Sequence, residues 1–283
     1  MNVKCIHIAI VVTLAASGCL KSNSSGSAPA ADSVVTATSK ADESATQTAS
    51  TDPKKQALLE AYPEMIASIE DNVLTFTDGT TMIYDDGREK DFVTALDESD
   101  PEDMFFVAYD SSTTPEYLHD PGRSRSEELF KKLYGNSADQ VKSQLVTVDW
   151  IGEKVKFTGR NGAADSLQKV AEELRLYPDL AGWLKSSGTF YWRSVRGAKR
   201  LSAHSYGIAF DIGVDRSDYW LWKNPGASET AKITYHNRIP KQIVEIFEKH
   251  GFIWGGAWYH YDTMHFEYRP EILRYAQLTK QSQ

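Results

Sequence analysis

Two stretches of this sequence hold side chains suited to metal-assisted chemistry. The first reads Ser202-Ala203-His204-Ser205-Tyr206-Gly207-Ile208-Ala209-Phe210-Asp211. From Ile208 onward apolar residues alternate, so one strand face takes Ile208, Phe210, Ile212 and Val214 and the other takes Ala209, Asp211 and Gly213. Asp211 thus stands opposite a core-facing set, with small neighbours beside it. Gly207 allows a close backbone approach between His204 and the strand. The second stretch runs from Trp254 through Gly255-Gly256 and Asp262 to His265-Phe266-Glu267. Met264, Phe266 and Tyr268 alternate with His265 and Glu267, which places His265 on a polar strand face as well. Two imidazoles and one carboxylate make a three-ligand set for zinc, with a fourth position left for water. Asp262, three residues before His265, lies near that set without having to be a ligand. A free carboxylate beside activated water is a candidate general base.

The elements that position these residues are read from periodicity and punctuation. Ala163, Leu167, Val170, Ala171 and Leu174 recur at helical spacing, with Asn161 or Asp165 as the expected cap and Pro178 stopping the following turn. Pro240 opens a helix whose apolar face is Ile243, Val244, Ile246 and Phe247, and Gly251 ends it. Val146–Trp150 and Thr189–Arg193 read as strands. Upstream, Ala57–Ile69 has helical spacing interrupted by Pro63, and Val73–Tyr84 alternates around Asp78-Gly79 as a hairpin. Residues 85–125 are polar and acidic with three prolines and read as loops, and Ser126–Tyr134 reads as a short helix. All seven tryptophans fall from Trp150 onward, so the chemistry is placed in an aromatic-rich C-terminal half.

Ser-x-His-x-x-Gly-x-Ala-x-Asp, followed by Asp-x-x-His-Phe-Glu, resembles the zinc D-alanyl-D-alanine carboxypeptidases and L-alanyl-D-glutamate endopeptidases, which share a fold with hedgehog signalling domains and lysostaphin-type enzymes. The resemblance extends over residues 145–275 and includes Phe190-Tyr191-Trp192-Arg193, the Pro240 helix and the Trp-Gly-Gly run. It implies an α+β fold, with a small antiparallel sheet carrying the ligands, helices packed on it, and an N-terminal extension containing the hairpin. By position, His204, Asp211 and His265 resemble the zinc ligands and Asp262 the catalytic base. An Asp at that position, rather than Glu, matches the endopeptidase branch. Arg193 resembles the arginine that polarises the scissile carbonyl, a role suited to a fixed charge with fork geometry. Ser202 and Glu267 are candidates to support the site by hydrogen bonding. The implied cofactor is zinc and the implied substrate a peptidoglycan stem peptide.

Other readings compete at single positions. Arg196 and Arg200 rival Arg193. His260 has no place in the ligand pattern and reads as a cleft or surface residue. Trp192, Trp254 and Trp258 either line a groove or pack the core, and Tyr219-Trp220-Leu221-Trp222 reads as a loop rim. Ser166-Leu167-Gln168-Lys169 fits the Ser-x-x-Lys nucleophile motif. However, Tyr134-Gly135-Asn136 precedes it instead of following, and no Lys-Thr-Gly comes after. His-Glu-x-x-His is absent. A non-catalytic zinc-containing peptidoglycan- or protein-binding lipoprotein is the alternative to an enzyme.

The chain of 283 residues carries a net charge of −8, which argues against a nucleic-acid partner held by a basic surface. Its two cysteines, Cys5 and Cys19, exclude a disulfide framework and a cysteine-rich zinc site. Lys4, the apolar run Ile6–Ala16 and small residues before Cys19 describe a secretory signal over residues 1–18. Ala16-Ser17-Gly18-Cys19 resembles a lipobox, making Cys19 the lipidation site and placing the protein in the cell envelope on a membrane anchor. Residues 19–56 then read as a Ser/Thr/Ala-rich tether, 57–144 as a separate module and 145–283 as the zinc peptidase domain.

Overall fold

The computed structural model describes residues 52–281; the signal, Cys19 and most of the tether fall outside the described residues. The N-terminal helix α1 (Pro53–Ala61) is capped by the Asp52 carboxylate, which accepts from the Lys54 amide at 2.8 Å. It stops at Tyr62, and residues expected to continue it form β1 (Ile66–Glu70) instead. β1 pairs with β2 (Val73–Phe76), which turns through Asp78-Gly79 into β3 (Thr81–Ile83). The hairpin is as expected: Gly79 has φ +80° and Asp78 accepts from the Thr80 amide at 3.0 Å. The β1 error has a physical source. A bulge between Ile66 and Ser68 brings the buried Ile66 and Ile69, three residues apart, onto one strand face, which in sequence imitates a helical step.

The 85–125 segment, expected as loops, contains α2 (Phe92–Asp97), capped by Asp91, and a 3-10 turn at Asp103–Phe105 within otherwise irregular chain. The expected helix at 126–134 is α3 (Glu127–Tyr134), with Ser126 as its cap, followed by α4 (Ala138–Ser143). β4 (Leu145–Trp150) and β5 (Glu153–Thr158) form a separate hairpin across Ile151-Gly152, both with positive φ. Next comes α5 (Ala163–Leu174). Neither Asn161 nor Asp165 caps it: Gly162 in a left-handed conformation stands at the cap, and Asn161 turns the chain with φ +52°.

After α5 come β6 (Ser186–Gly188) and β7 (Ala209–Ile212). Short α6 (Trp220–Lys223) precedes α7 (Lys241–Lys249), β8 (Phe252–Trp254), β9 (His265–Tyr268) and α8 (Pro270–Gln281). These strands make a four-stranded antiparallel sheet in the order β6-β7-β9-β8. The fold is α+β with small antiparallel sheets, as expected. One sheet face is the core: Phe210 pairs with Phe266, Phe247 of α7 stacks on Phe266 at 3.9 Å, and Trp150 meets Phe210 edge-on at 4.5 Å. The expected strand at Thr189–Arg193 is irregular chain, because its polar backbone groups bond the turn that carries His204 rather than another strand.

No packing boundary falls at 144/145. α1 lies against α8, Tyr62 Oη donates to Glu271 at 2.7 Å, and Tyr109 Oη donates to Glu248 at 2.6 Å. Phe105 packs on Tyr275, and Phe130 packs on Tyr206. The described residues, 52–281, all fall within one compact unit. A chain beginning at residue 145 is therefore expected to lack a cooperative thermal transition that residues 52–283 show. Within the longer chain, Leu58→Ala at a fully buried α1 position is expected to cost about 2–5 kcal/mol in chemical denaturation.

Candidate metal centre and catalytic cleft

Register brings the ligands together. In the β7–β9 pair Asp211 lies directly opposite His265, on the face away from Phe210 and Phe266. His204 comes from the short 3-10 turn Ala203–Tyr206 just before β7. Ser202 caps that turn, its Oγ accepting from the His204 amide at 3.4 Å. The turn ends at Gly207 with φ +67°, where a Cβ would stand 2.7 Å from Leu145. The left-handed conformation favours glycine there, and any larger residue would also have to displace the Leu145 methyl.

The imidazoles are oriented by their outer nitrogens. His204 Nδ1 meets the Thr189 carbonyl at 2.5 Å, which fixes Nδ1–H as the donor and turns the Nε2 lone pair inward. His265 Nε2 meets Glu267 Oε1 at 3.0 Å and so turns Nδ1 inward. Inward, His204 Nε2 lies 3.2 Å from Asp211 Oδ2, and His265 Nδ1 lies 2.8 Å from Asp211 Oδ1. Donor atoms of the three residues all fall within 4.8 Å of one another. Tetrahedral zinc with bonds of about 2.0–2.1 Å separates its ligand atoms by about 3.3 Å, close to the spacings present. The electrostatics agree. Burial pushes the Asp211 carboxyl up, but His204 and then His265 outweigh it and hold it well below the usual carboxylate range. Burial pushes His265 down, yet its bonds to Asp211 and Glu267 lift it to about 10. A site that draws a positive charge this strongly, with two imidazole nitrogens and a carboxylate aimed inward, fits zinc.

Glu267 stands behind His265, and three side chains converge on its carboxylate. It takes His265 on Oε1, where Arg125 Nη1 also donates at 2.9 Å, and Arg269 Nη1 on Oε2 at 3.3 Å. Burial pushes its carboxyl up, but Arg125 foremost brings it down to about 2, so it remains an acceptor for His265. Asp262 has the opposite surroundings. Its Oδ1 is buried and accepts no hydrogen bond. Burial is the largest cause that lifts its carboxyl to about 7; Asp211 adds to this, while His265 and His204 oppose it. A proton acceptor near 7 suits general-base work at neutral pH.

All these groups line one cleft of about 570 Å³. Arg193, Arg196 and Arg200 all reach it; Arg193 and Arg196 are exposed, whereas Arg200 is buried and paired with Asp97. The Arg193 amide donates to Ser205 Oγ at 3.0 Å, and its guanidinium touches only the Ser194 carbonyl at 3.3 Å among its hydrogen bonds. Tyr219, Trp220, Trp222 and Trp258 line the cleft. Trp254 is core, its Nε1 donating to the Thr263 carbonyl at 2.8 Å, and Trp192 is half-buried outside the lining. Ser166 sits on α5, away from the cleft lining.

His260 is a buried cleft residue, not a surface one. Its Nδ1 bonds Asp120 at 2.6 Å, and its ring lies between Phe92 and Trp220. Sequence reading missed Asp120, Arg123, Arg125 and Glu229. Residues 120–126 are buried throughout despite their polar composition, and nothing in a Pro-Gly-Arg-Ser-Arg run signals that it is covered.

Residues 196–268 match the family model described as D-alanyl-D-alanine carboxypeptidase, a stretch that contains His204, Asp211, Asp262 and His265 and ends before Arg269. The match supports the resemblance drawn from the motifs and supports a peptidase acting on peptidoglycan-related substrates. No curated protein and no solved structure matches the chain. Glu267→Gln is expected to weaken zinc by about 10- to 100-fold, read by competition against a chromophoric chelator, because the His265 tautomer loses its fixed partner.

Proposed function

We propose that this chain is a zinc-dependent peptidase that hydrolyses amide bonds in peptidoglycan stem peptides, of D-alanyl-D-alanine carboxypeptidase or L-alanyl-D-glutamate endopeptidase type. The observation that carries the proposal is the convergence of His204, Asp211 and His265 beside an unpartnered Asp262 in one cleft. His204, Asp211 and His265 would hold zinc, which when bound would supply Lewis-acid activation of water and of the scissile carbonyl. Asp262 Oδ1, free of other partners, accepts a proton from the attacking water and returns it to the leaving amine. Arg193, the cleft arginine that matches the family pattern by position, is exposed and moves onto the carbonyl oxygen as negative charge develops there. The Thr189 carbonyl and Glu267 hold the two imidazoles in the required orientation, and Ser202 caps the turn that carries His204.

The test is to incubate the protein with purified muropeptides and follow the products by mass spectrometry. Product is expected from wild type, is lost with chelator and restored by zinc. Asp262→Ala is expected to fall by at least about 100-fold in kcat. Zinc bound at one per chain with no product from any muropeptide would overturn the enzyme in favour of a binding lipoprotein.

We also propose that Cys19 carries a lipid anchor that holds the domain in the cell envelope beside this polymer. The support is the cationic, apolar and small-residue order of residues 1–18. In cells fed a radiolabelled fatty acid, label is expected on the wild type and none on Cys19→Ser. Label on both, or on neither, would refute the anchor.

A further inference from the structure

The cleft contains cationic groups that the hydrolytic chemistry leaves unused. In a chain of net charge −8, Arg123, Arg125, Arg193, Arg196 and Arg200 all line this one cleft. Such clustering raises the local concentration of anionic ligands. Arg123 is spent internally: its fork holds Glu229 at 2.8 and 2.9 Å, and Nη1 also reaches Asp120 at 2.8 Å. Arg125 and Arg200 differ. Their side chains are only 8% and 7% exposed. One end of each is anchored, Arg125 on Glu267 and Arg200 on Asp97, while the Nε–H of each has no acceptor. His260 Nε2, on a fully buried ring anchored to Asp120, is likewise without a hydrogen-bond partner.

The same corner already attracts a carboxylate of the chain itself. Glu229, in the irregular segment between α6 and α7, is held by Arg123 and stands 3.9 Å from Arg200 Nη2 and 3.8 Å from His260 Nε2. It is near both and hydrogen-bonded to neither. Its carboxyl is pushed up by burial, but Arg123 first, then His260 and Arg200, bring it below its ordinary value. The corner therefore favours the charged form of a carboxylate while keeping buried donors in reserve.

We propose that Arg200 and Arg125, bordered by His260, form a subsite for a substrate carboxylate, separate from the groups that act on the scissile bond. The inference rests on the peptidase reading for the identity of the substrate. A stem peptide offers two such carboxylates, the C-terminal one and the α-carboxylate of D-glutamate. Arg125 and the Asp120 that anchors His260 both precede residue 145, so the N-terminal region is a specificity-determining part of the site.

Three pentapeptides separate the outcomes: L-Ala-γ-D-Glu-L-Lys-D-Ala-D-Ala, its C-terminal amide, and its D-isoglutamine form. Calorimetry on the full-length, zinc-loaded Asp262→Ala protein measures binding without turnover. The free acid is expected to bind at least about tenfold more tightly than one of the amides, and Arg200→Gln in the same background is expected to abolish that preference. The amide that loses affinity identifies which carboxylate is seated. Equal binding of all three peptides, including none, overturns the subsite with no need for the Arg200 variant to fold. So does a preference that survives Arg200→Gln. The two proposals fail separately. Wild type that cleaves the peptides while its Asp262→Ala form binds all three equally loses only the subsite. Preferential binding without cleavage of any muropeptide by wild type loses only the peptidase.

Discussion

The register between β7 and β9 is the constraint on which the site depends. It sets Asp211 opposite His265 although they lie 54 positions apart in the chain. Because side chains alternate faces, a slip of one residue would send His265 into the core and Phe266 into the cleft. The slip is opposed from the apolar side, where Phe210, Phe266, Phe247 and Trp150 pack as one cluster. The aromatic core therefore does more than stabilise the domain: it fixes the distance between two candidate metal ligands. His204 is tied to the same strand from the other direction, since its turn runs directly into β7 and its outer nitrogen is held by the Thr189 carbonyl.

A buried line of charge extends this control to the beginning of the folded chain. His265 bonds Glu267, which Arg125 and Arg269 share. Arg269 also donates to Glu271 and to the Gly122 carbonyl, and Glu271 accepts from Tyr62 at the end of α1. Burying so many ions is costly unless each is satisfied, and removing one partner from such a set typically costs about 3–5 kcal/mol. The elements at 52–144 are thus built into the site's support.

What the sequence made legible is local. The two ligand-bearing motifs, the α5 and α7 faces, the β2–β3 hairpin and the Ser126-capped helix each announce themselves within about a dozen residues. Their physics is short-range: alternation, helical period, capping and turn geometry. The errors lie where a distant partner decides. Ile66 and Ile69 look helical until a bulge explains them. Asn161 looks like a cap until the chain turns left-handed there. Thr189–Arg193 looks like a strand until its backbone is seen serving the His204 turn. The buried Asp120–Ser126 run was invisible for the same reason, since polar residues become buried only when something else in the fold covers and pairs them.

Glu267 and Asp262 show how that distant segment bears on chemistry. Both are carboxylates beside His265, and their surroundings drive them apart. Glu267 is saturated by Arg125, Arg269 and His265 and is held at about 2; Asp262 has an unpartnered buried oxygen and is lifted to about 7. A pair of acids separated in this way divides its labour, one fixed as an acceptor and one ready to exchange a proton. Arg125 is the foremost charge that keeps Glu267 ionised. Ionised Glu267 holds His265 Nε2, and that bond turns Nδ1 toward Asp211. A residue outside the family match thus reaches the candidate metal centre through two hydrogen bonds. The matched stretch contains the candidate ligands, but the orientation of one of them is set partly by chain that precedes it.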